Sequence, residues 1–225
     1  MRQILCFGDS NTYGLVPGMQ ERYGWGIRWT SIVEETVRKW GCHVIEEGLC
    51  GRTTTFEDLY RKGRKGTDLL PVLLETHTPI DIVILMLGTN DCKTAYGATP
   101  ERIGEGIEKL VDQIKTYNAD AQILLLSPIA LAEGVWEEGY DPEFDENSVA
   151  VSKALPKVYA EIADRRGIDF LAASDYACAD DADREHLGVV GHRRLADAII
   201  TKLEDMYLDR NIKEVPVSFY DAVAS

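Results

Sequence analysis

A serine, an imidazole with a carboxylate three residues ahead of it, and three glycine- or amide-bearing loops are the reactive inventory of this 225-residue chain. The serine is Ser10, in Gly8-Asp9-Ser10-Asn11-Thr12-Tyr13-Gly14, directly after the apolar run Ile4-Leu5-Cys6-Phe7. Such a run reads as a buried parallel strand, and its carboxyl end is where open α/β sheets place their chemistry. Ser10 is expected to stand exposed there, its backbone N–H free to point at a ligand. The imidazole is His186, in Asp183-Arg184-Glu185-His186-Leu187. An acid at this spacing can turn back to hold Nδ1–H, which fixes the tautomer and leaves Nε2 to accept a proton. Serine and such a histidine together equip a site for nucleophilic acyl transfer. The plainer reading makes Asp9 and Ser10 turn formers only.

The elements that must position these groups alternate along the chain. After the first strand come a loop over 15–26 and a helix over about 27–40, which Gly41 ends. A second strand over 42–46 runs into Gly48-Leu49-Cys50-Gly51-Arg52-Thr53-Thr54, and a helix follows near 67–76. The third strand, 82–87, is the most apolar run and is expected at the centre; it ends in Gly88-Thr89-Asn90-Asp91. A helix opens with Thr99 as N-cap and Pro100 in the first turn and continues to about Tyr117. A strand over 122–126, a helix from 149 to 166, a strand over 168–171 and a helix over about 189–207 complete the pattern. Five strands alternating with helices predict an α/β fold: a three-layer α/β/α sandwich around a five-stranded, parallel, doubly wound, flavodoxin-like sheet. In it, the polar strand ends converge on one crevice.

Residues 1–225 read as one domain, with an insertion loop at about 131–147 and a C-terminal tail from about 208. A formal charge of −14 argues against nucleic acid or an anionic membrane as partner. No apolar run approaches the ~20 residues of a membrane span, and the start carries no basic-then-apolar leader pattern. Five scattered cysteines without a C-x-x-C pair favour reduced thiols over disulfides or zinc. The expectation is a cytoplasmic protein.

Taken together, these residues resemble the SGNH, or GDSL-type, hydrolases. Gly8-Asp9-Ser10 with Asn11 and Gly14 is similar to the block that carries the nucleophile in that family. Gly51 matches the second block's backbone donor, Asn90 in Gly88-Thr89-Asn90-Asp91 the third block's side-chain donor, and Asp183 with His186 the fifth block's acid and base. The blocks come in family order from about residue 3 to 205. Asn11 departs from the leucine of the name-giving motif, which bears on the pocket wall more than on mechanism. The G-x-S-x-G elbow of α/β-hydrolases is absent. The resemblance implies a carboxylic ester hydrolase with Ser10, Asp183 and His186 as catalytic groups. Its oxyanion hole would be made by Ser10 and Gly51 N–H with the Asn90 amide, and no metal or organic cofactor is implied. Within the family the chain looks closest to bacterial arylesterases, several of which also transfer acyl groups to alcohols and form oligomers. The expected substrate is a small aryl or short-chain ester. The alternatives are a carbohydrate O-acetyl esterase on the same scaffold and a non-catalytic, flavodoxin-like anion-binding module.

Other residues compete for roles. His192 rivals His186 but has no acid at a matching spacing; Asp91 rivals Asp183 but reads as a loop brace, as does Asp9. Cys50 and Cys92 flank the crevice and read as small buried residues. Asn11, Tyr13, Trp25 and Trp136 are candidates for the substrate pocket. Seven acids, Glu133, Glu137, Glu138, Asp141, Glu143, Asp145 and Glu146, fill the 131–147 segment without a base. They contrast with Arg61, Lys62, Arg64 and Lys65. These opposite charges are expected to face each other or a second chain, making a homo-oligomer.

Overall fold

The computed structural model describes residues 1–209; the expected tail, beyond its first two residues, lies outside the described residues. Its five strands are β1 (Arg2–Gly8), β2 (Cys42–Gly48), β3 (Ile82–Met86), β4 (Gln122–Ser127) and β5 (Asp169–Ala172). They form one all-parallel sheet in the order β2-β1-β3-β4-β5. The helices are α1 (Ser10–Tyr13), α2 (Trp29–Val37), α3 (Gly66–Thr76), α4 (Pro100–Tyr117), α5 (Glu146–Arg166) and α6 (Val189–Asp209). Side chains alternate across β1. Leu5 and Phe7 join one core with Leu70, Leu74, Ile107 and Leu155, while Ile4 and Cys6 join a second core with Trp29, Val33, Leu195 and Ile199. The sheet is therefore covered on both faces, by α3, α4 and α5 on one and by α2 and α6 on the other, which is why its strands are apolar throughout. Because β1 lies between β2 and β3, the chain leaves β1 toward one face and β3 toward the other. That divergence opens a crevice at their carboxyl ends.

Local chemistry explains the boundaries. Thr99 accepts the Arg102 N–H at 3.3 Å, and Pro100 supplies a preset first turn for α4, as its sequence predicts. α5 starts at Glu146, three residues before the expected 149. Asp145 and Ser148 form a reciprocal cap there, with Ser148 N to Asp145 Oδ1 at 2.7 Å and Asp145 N to Ser148 Oγ at 3.1 Å. An acidic first turn hides the apolar period that marks the rest of the helix. α2 is shorter than the expected 27–40, since Arg28 is extended and residues Arg38–Trp40 tighten into a 3₁₀ turn closed by Gly41. Ile168 N–H bonds back to Ala163 C=O, so β5 begins one residue later than expected.

The acidic segment finds its bases within the chain. Lys93 Nζ meets Glu143 at 2.5 Å, Lys153 meets Glu133 at 2.5 Å and Arg184 meets Glu137 at 2.6 Å. Arg61 instead pairs with Asp58 at 2.8 Å and Lys65 with Asp68 at 3.0 Å. Among the described residues, three of the seven acids and two of the four bases thus have ion-pair partners outside the opposite segment. No helix among the described residues is long and apolar enough to cross a membrane.

Candidate active site

Ser10 is the first residue of α1, two residues past the end of β1, so its N–H heads a helix and lacks an intrahelical acceptor. Asp9 caps this turn by accepting the Asn11 N–H at 3.0 Å, which is the bracing expected of it. At the far side of the crevice, the loop before α6 folds back on itself. Asp183 Oδ1 accepts the backbone N–H of Glu185 at 3.0 Å and of His186 at 2.9 Å. Asp183 Oδ2 meets His186 Nδ1 at 2.7 Å and accepts the Gly18 N–H at 2.8 Å. The other ring nitrogen, His186 Nε2, lies 2.8 Å from Ser10 Oγ. Residues 176 positions apart are thereby joined in one continuous relay, Asp183–His186–Ser10. Expected to be exposed, Ser10 is only 3% accessible, since the histidine loop closes over it.

Electrostatics follow from this packing. Burial works against the Asp183 carboxylate, but the His186 ring and the two loop N–H groups outweigh it and hold the group at about 2. Burial likewise works against a charged His186, yet Glu185 and Asp183 raise the ring to about 9. His192 is the opposite case: fully buried, it is pushed down to about 4 by burial, then by Arg28 and His186. It accepts the Trp29 N–H on Nδ1 at 3.3 Å, and among the described residues no carboxylate orients it. It is a neutral core histidine, and the rival reading fails on geometry.

The loops after β2 and β3 complete the crevice. Gly51 takes φ +82, a left-handed conformation suited to glycine, and a side chain there would run into the Arg61 guanidinium. Asn90 gives one amide hydrogen to Arg52 C=O at 3.2 Å, which fixes the amide plane and leaves its second hydrogen to donate elsewhere. Asp91 is buried and grips Thr54 N–H at 2.9 Å, with a further bond from the Thr54 hydroxyl, so it ties the β3 loop to the β2 loop. Burial pushes its carboxyl up to about 7. Cys92 is buried against Gly88 C=O, and burial raises its thiol well above the ordinary range. Cys50 is half-buried, with its thiol raised chiefly by burial. Neither has the depressed pKa of a thiol nucleophile.

The four residues expected to line the pocket sit differently. Asn11 is buried and is a strut: its Oδ1 accepts the Leu187 N–H at 2.9 Å and its Nδ2 donates to Glu185 C=O at 3.4 Å, tying the serine turn to the histidine loop. Tyr13 is half-buried under the Arg22 guanidinium, 4.6 Å from the ring centre. Trp25 is 59% exposed beside Arg28, and Trp136 packs against the core of the α3–α5 face. Sequence reasoning missed Glu185, which is buried with Oε1 3.7 Å from His186 Nε2, and Gly18. The first could have been suspected from its place between the acid and the base; the second carries no sequence signal.

A family model described as the GDSL-like Lipase/Acylhydrolase family matches residues 6–194. The chain belongs to this family. Among solved structures, a carbohydrate acetylesterase from Sinorhizobium meliloti is similar at 36% identity and a TM-score of 0.85, covering 92% of this chain and 100% of that one. The inhibitor-bound M. smegmatis aryl esterase is similar at 32% identity and a TM-score of 0.84, covering 91% and 99%. None of the curated proteins compared matches the chain. Membership agrees with the fold, an SGNH-type parallel sheet flanked by helices. The protein is a carboxylic ester hydrolase on that scaffold.

Proposed function

We propose that the protein hydrolyses small carboxylic esters through an acyl-enzyme on Ser10, with water or a second alcohol as acceptor. The observation that carries this reading is the unbroken relay of 2.7 Å and 2.8 Å contacts from Asp183 through His186 to Ser10. Ser10 Oγ attacks the ester carbonyl while His186 Nε2 takes its proton, and Asp183 steadies the imidazolium that results. The N–H groups of Ser10 and Gly51 and the free hydrogen of Asn90 Nδ2 receive the charge that develops on the carbonyl oxygen. His186 then returns the proton to the departing alcohol. In the second step Nε2 takes a proton from the acceptor, whose oxygen attacks the acyl carbon and releases Ser10. Aryl alcohols and sugar alcohols, the leaving groups suggested by the relatives' descriptions, both depart by this route.

The direct test is covalent labelling. An aryl alkylphosphonate is expected to add once to the Ser10 peptide, seen by mass spectrometry, with loss of ester turnover in proportion. Unlabelled Ser10 in fully inhibited enzyme would overturn the assignment.

The pH dependence follows from the electrostatics. Only neutral His186 can accept a proton, and the surrounding carboxylates raise its pKa to about 9. For the free enzyme, kcat/KM is therefore expected to rise with pH along a limb above the ordinary histidine value of ~6.5. A limb centred at or below that value would show that the carboxylates do not act on the base.

A further inference from the structure

Glu185 occupies an unusual place for an acidic side chain. It is 7% exposed, and its main chain is fixed at both ends: its N–H donates to Asp183 Oδ1 at 3.0 Å and its C=O accepts from Asn11 Nδ2 at 3.4 Å. Among the described residues, the carboxylate has one cationic neighbour within ion-pair distance, the His186 ring, with Oε1 3.7 Å from Nε2. That nitrogen already faces Ser10 Oγ at 2.8 Å. The other charges acting on the carboxyl are Lys93, Asp141 and Asp183, and Lys93 is itself engaged by Glu143 at 2.5 Å. A buried acid without a full set of donors is costly to keep. Burial raises this one to about 7. Among the described residues no hydrogen bond reaches its oxygens, and these are not among the fully enclosed polar atoms, so they are open to a donor from the crevice.

Resting on the Ser10–His186 reading above, we propose that Glu185 is the specificity-determining residue for the alcohol half of the ester. It accepts a hydrogen bond from a hydroxyl next to the ester oxygen, and so selects esters of polyhydroxy alcohols such as O-acylated sugars. The oxygen that leaves must lie one hydrogen-bond length from Nε2 to receive its proton, about 2.8 Å. Glu185 Oε1, 3.7 Å from the same nitrogen, is then within reach of a hydroxyl on the adjacent carbon. A polyol donates one hydroxyl hydrogen to Glu185 while its ester oxygen takes the proton from Nε2. A simple alkyl or aryl alcohol has no second hydroxyl to give, and covers the acid without replacing the water that it displaces from it. Sites of this kind reject the analogue lacking the hydroxyl far more strongly than apolar pockets reject a missing methylene. In the second step, water fills the same position. One O–H proton passes to Nε2 as the oxygen attacks the acyl carbon, the other O–H bonds to Glu185, and Ser10 Oγ leaves and recovers the proton from Nε2.

The test compares two substrates in one protein sample: a methyl glycoside carrying one acetyl group beside a free hydroxyl, and its deoxy analogue lacking that hydroxyl. Wild-type kcat/KM is expected to favour the first by about 10–100-fold. In Glu185→Leu the ratio is expected to collapse toward unity, and in Glu185→Gln, which keeps an acceptor oxygen, to be partly retained. The ratio cancels any difference in the amount of folded enzyme, and the Gln variant serves where the Leu variant does not fold. An indifferent wild-type ratio, or a common fall on both substrates with the ratio unchanged, overturns the proposal. Phosphonate labelling of the same samples separates the two readings. Labelled, active enzyme with an indifferent ratio removes only the role of Glu185, whereas active enzyme whose Ser10 does not label removes the esterase mechanism beneath it.

Discussion

Ser10→Ala is expected to lower kcat/KM on 4-nitrophenyl acetate by a factor on the order of 10⁴–10⁶, the range found when a hydrolytic serine is removed. Ser10 Oγ is 2.8 Å from His186 Nε2 and lies at the head of α1, so no neighbouring hydroxyl in the relay can replace it. The substitution should leave the fold in place. The deleted bond is of a kind whose net contribution is ~1 kcal/mol, and the serine turn remains held by Asp9 and by the Asn11 strut. The measurement is therefore clean: turnover falls while the thermal midpoint shifts by a few degrees at most. Retention of even a few per cent of wild-type turnover in protein freed of contaminating esterase would exclude Ser10 as the nucleophile.

Asp183→Asn is the second large effect, expected near 10⁴ in kcat. Its argument is one of donor and acceptor counting. Asp183 receives four donors: the N–H groups of Glu185 and His186 on Oδ1, and the Gly18 N–H with His186 Nδ1 on Oδ2. A carboxylate can accept them all, whereas an amide must turn its NH₂ toward one of the two pairs. If the NH₂ faces the imidazole, Nδ1 must become an acceptor and Nε2 carries the proton, the wrong tautomer for a base. If it faces the loop, two N–H groups lose their acceptor and the turn that carries His186 loosens. Either way the variant loses turnover. A loss under tenfold would mean that Asp183 holds the loop without serving the base.

Much of this could be read from the sequence because the relevant signals are local. The apolar runs of β1 and β3 end in Gly8 and Leu87-Gly88, and burial on both sides leaves little freedom about where such strands lie. The Asp183-x-x-His186 spacing marks a turn that closes on itself, so its hydrogen bonds follow from four consecutive residues. What stayed hidden depends on distant contacts. Asn11 reads as a pocket-wall residue because it stands where the name-giving motif has leucine, and only the approach of Leu187 from 176 residues away makes it a strut. The partners of the acids in 131–147 are equally remote: Lys93, Lys153 and Arg184 come from other elements. Glu185 gives no periodic signal, and its burial beside the base is set by the fold of the whole loop.

The hydrogen bond from Gly18 to Asp183 bears on how such an enzyme can be altered. The 15–26 loop is the natural place to graft new walls for a different substrate, yet it also delivers one of the four N–H donors that the Asp183 carboxylate accepts, and a donor to the charged form favours that form. Exchanging that loop would retune proton affinity along with fit. Selectivity and basicity are therefore inherited as one trait, and variants with a changed preference should carry a changed working pH unless the residue-18 amide is kept in register.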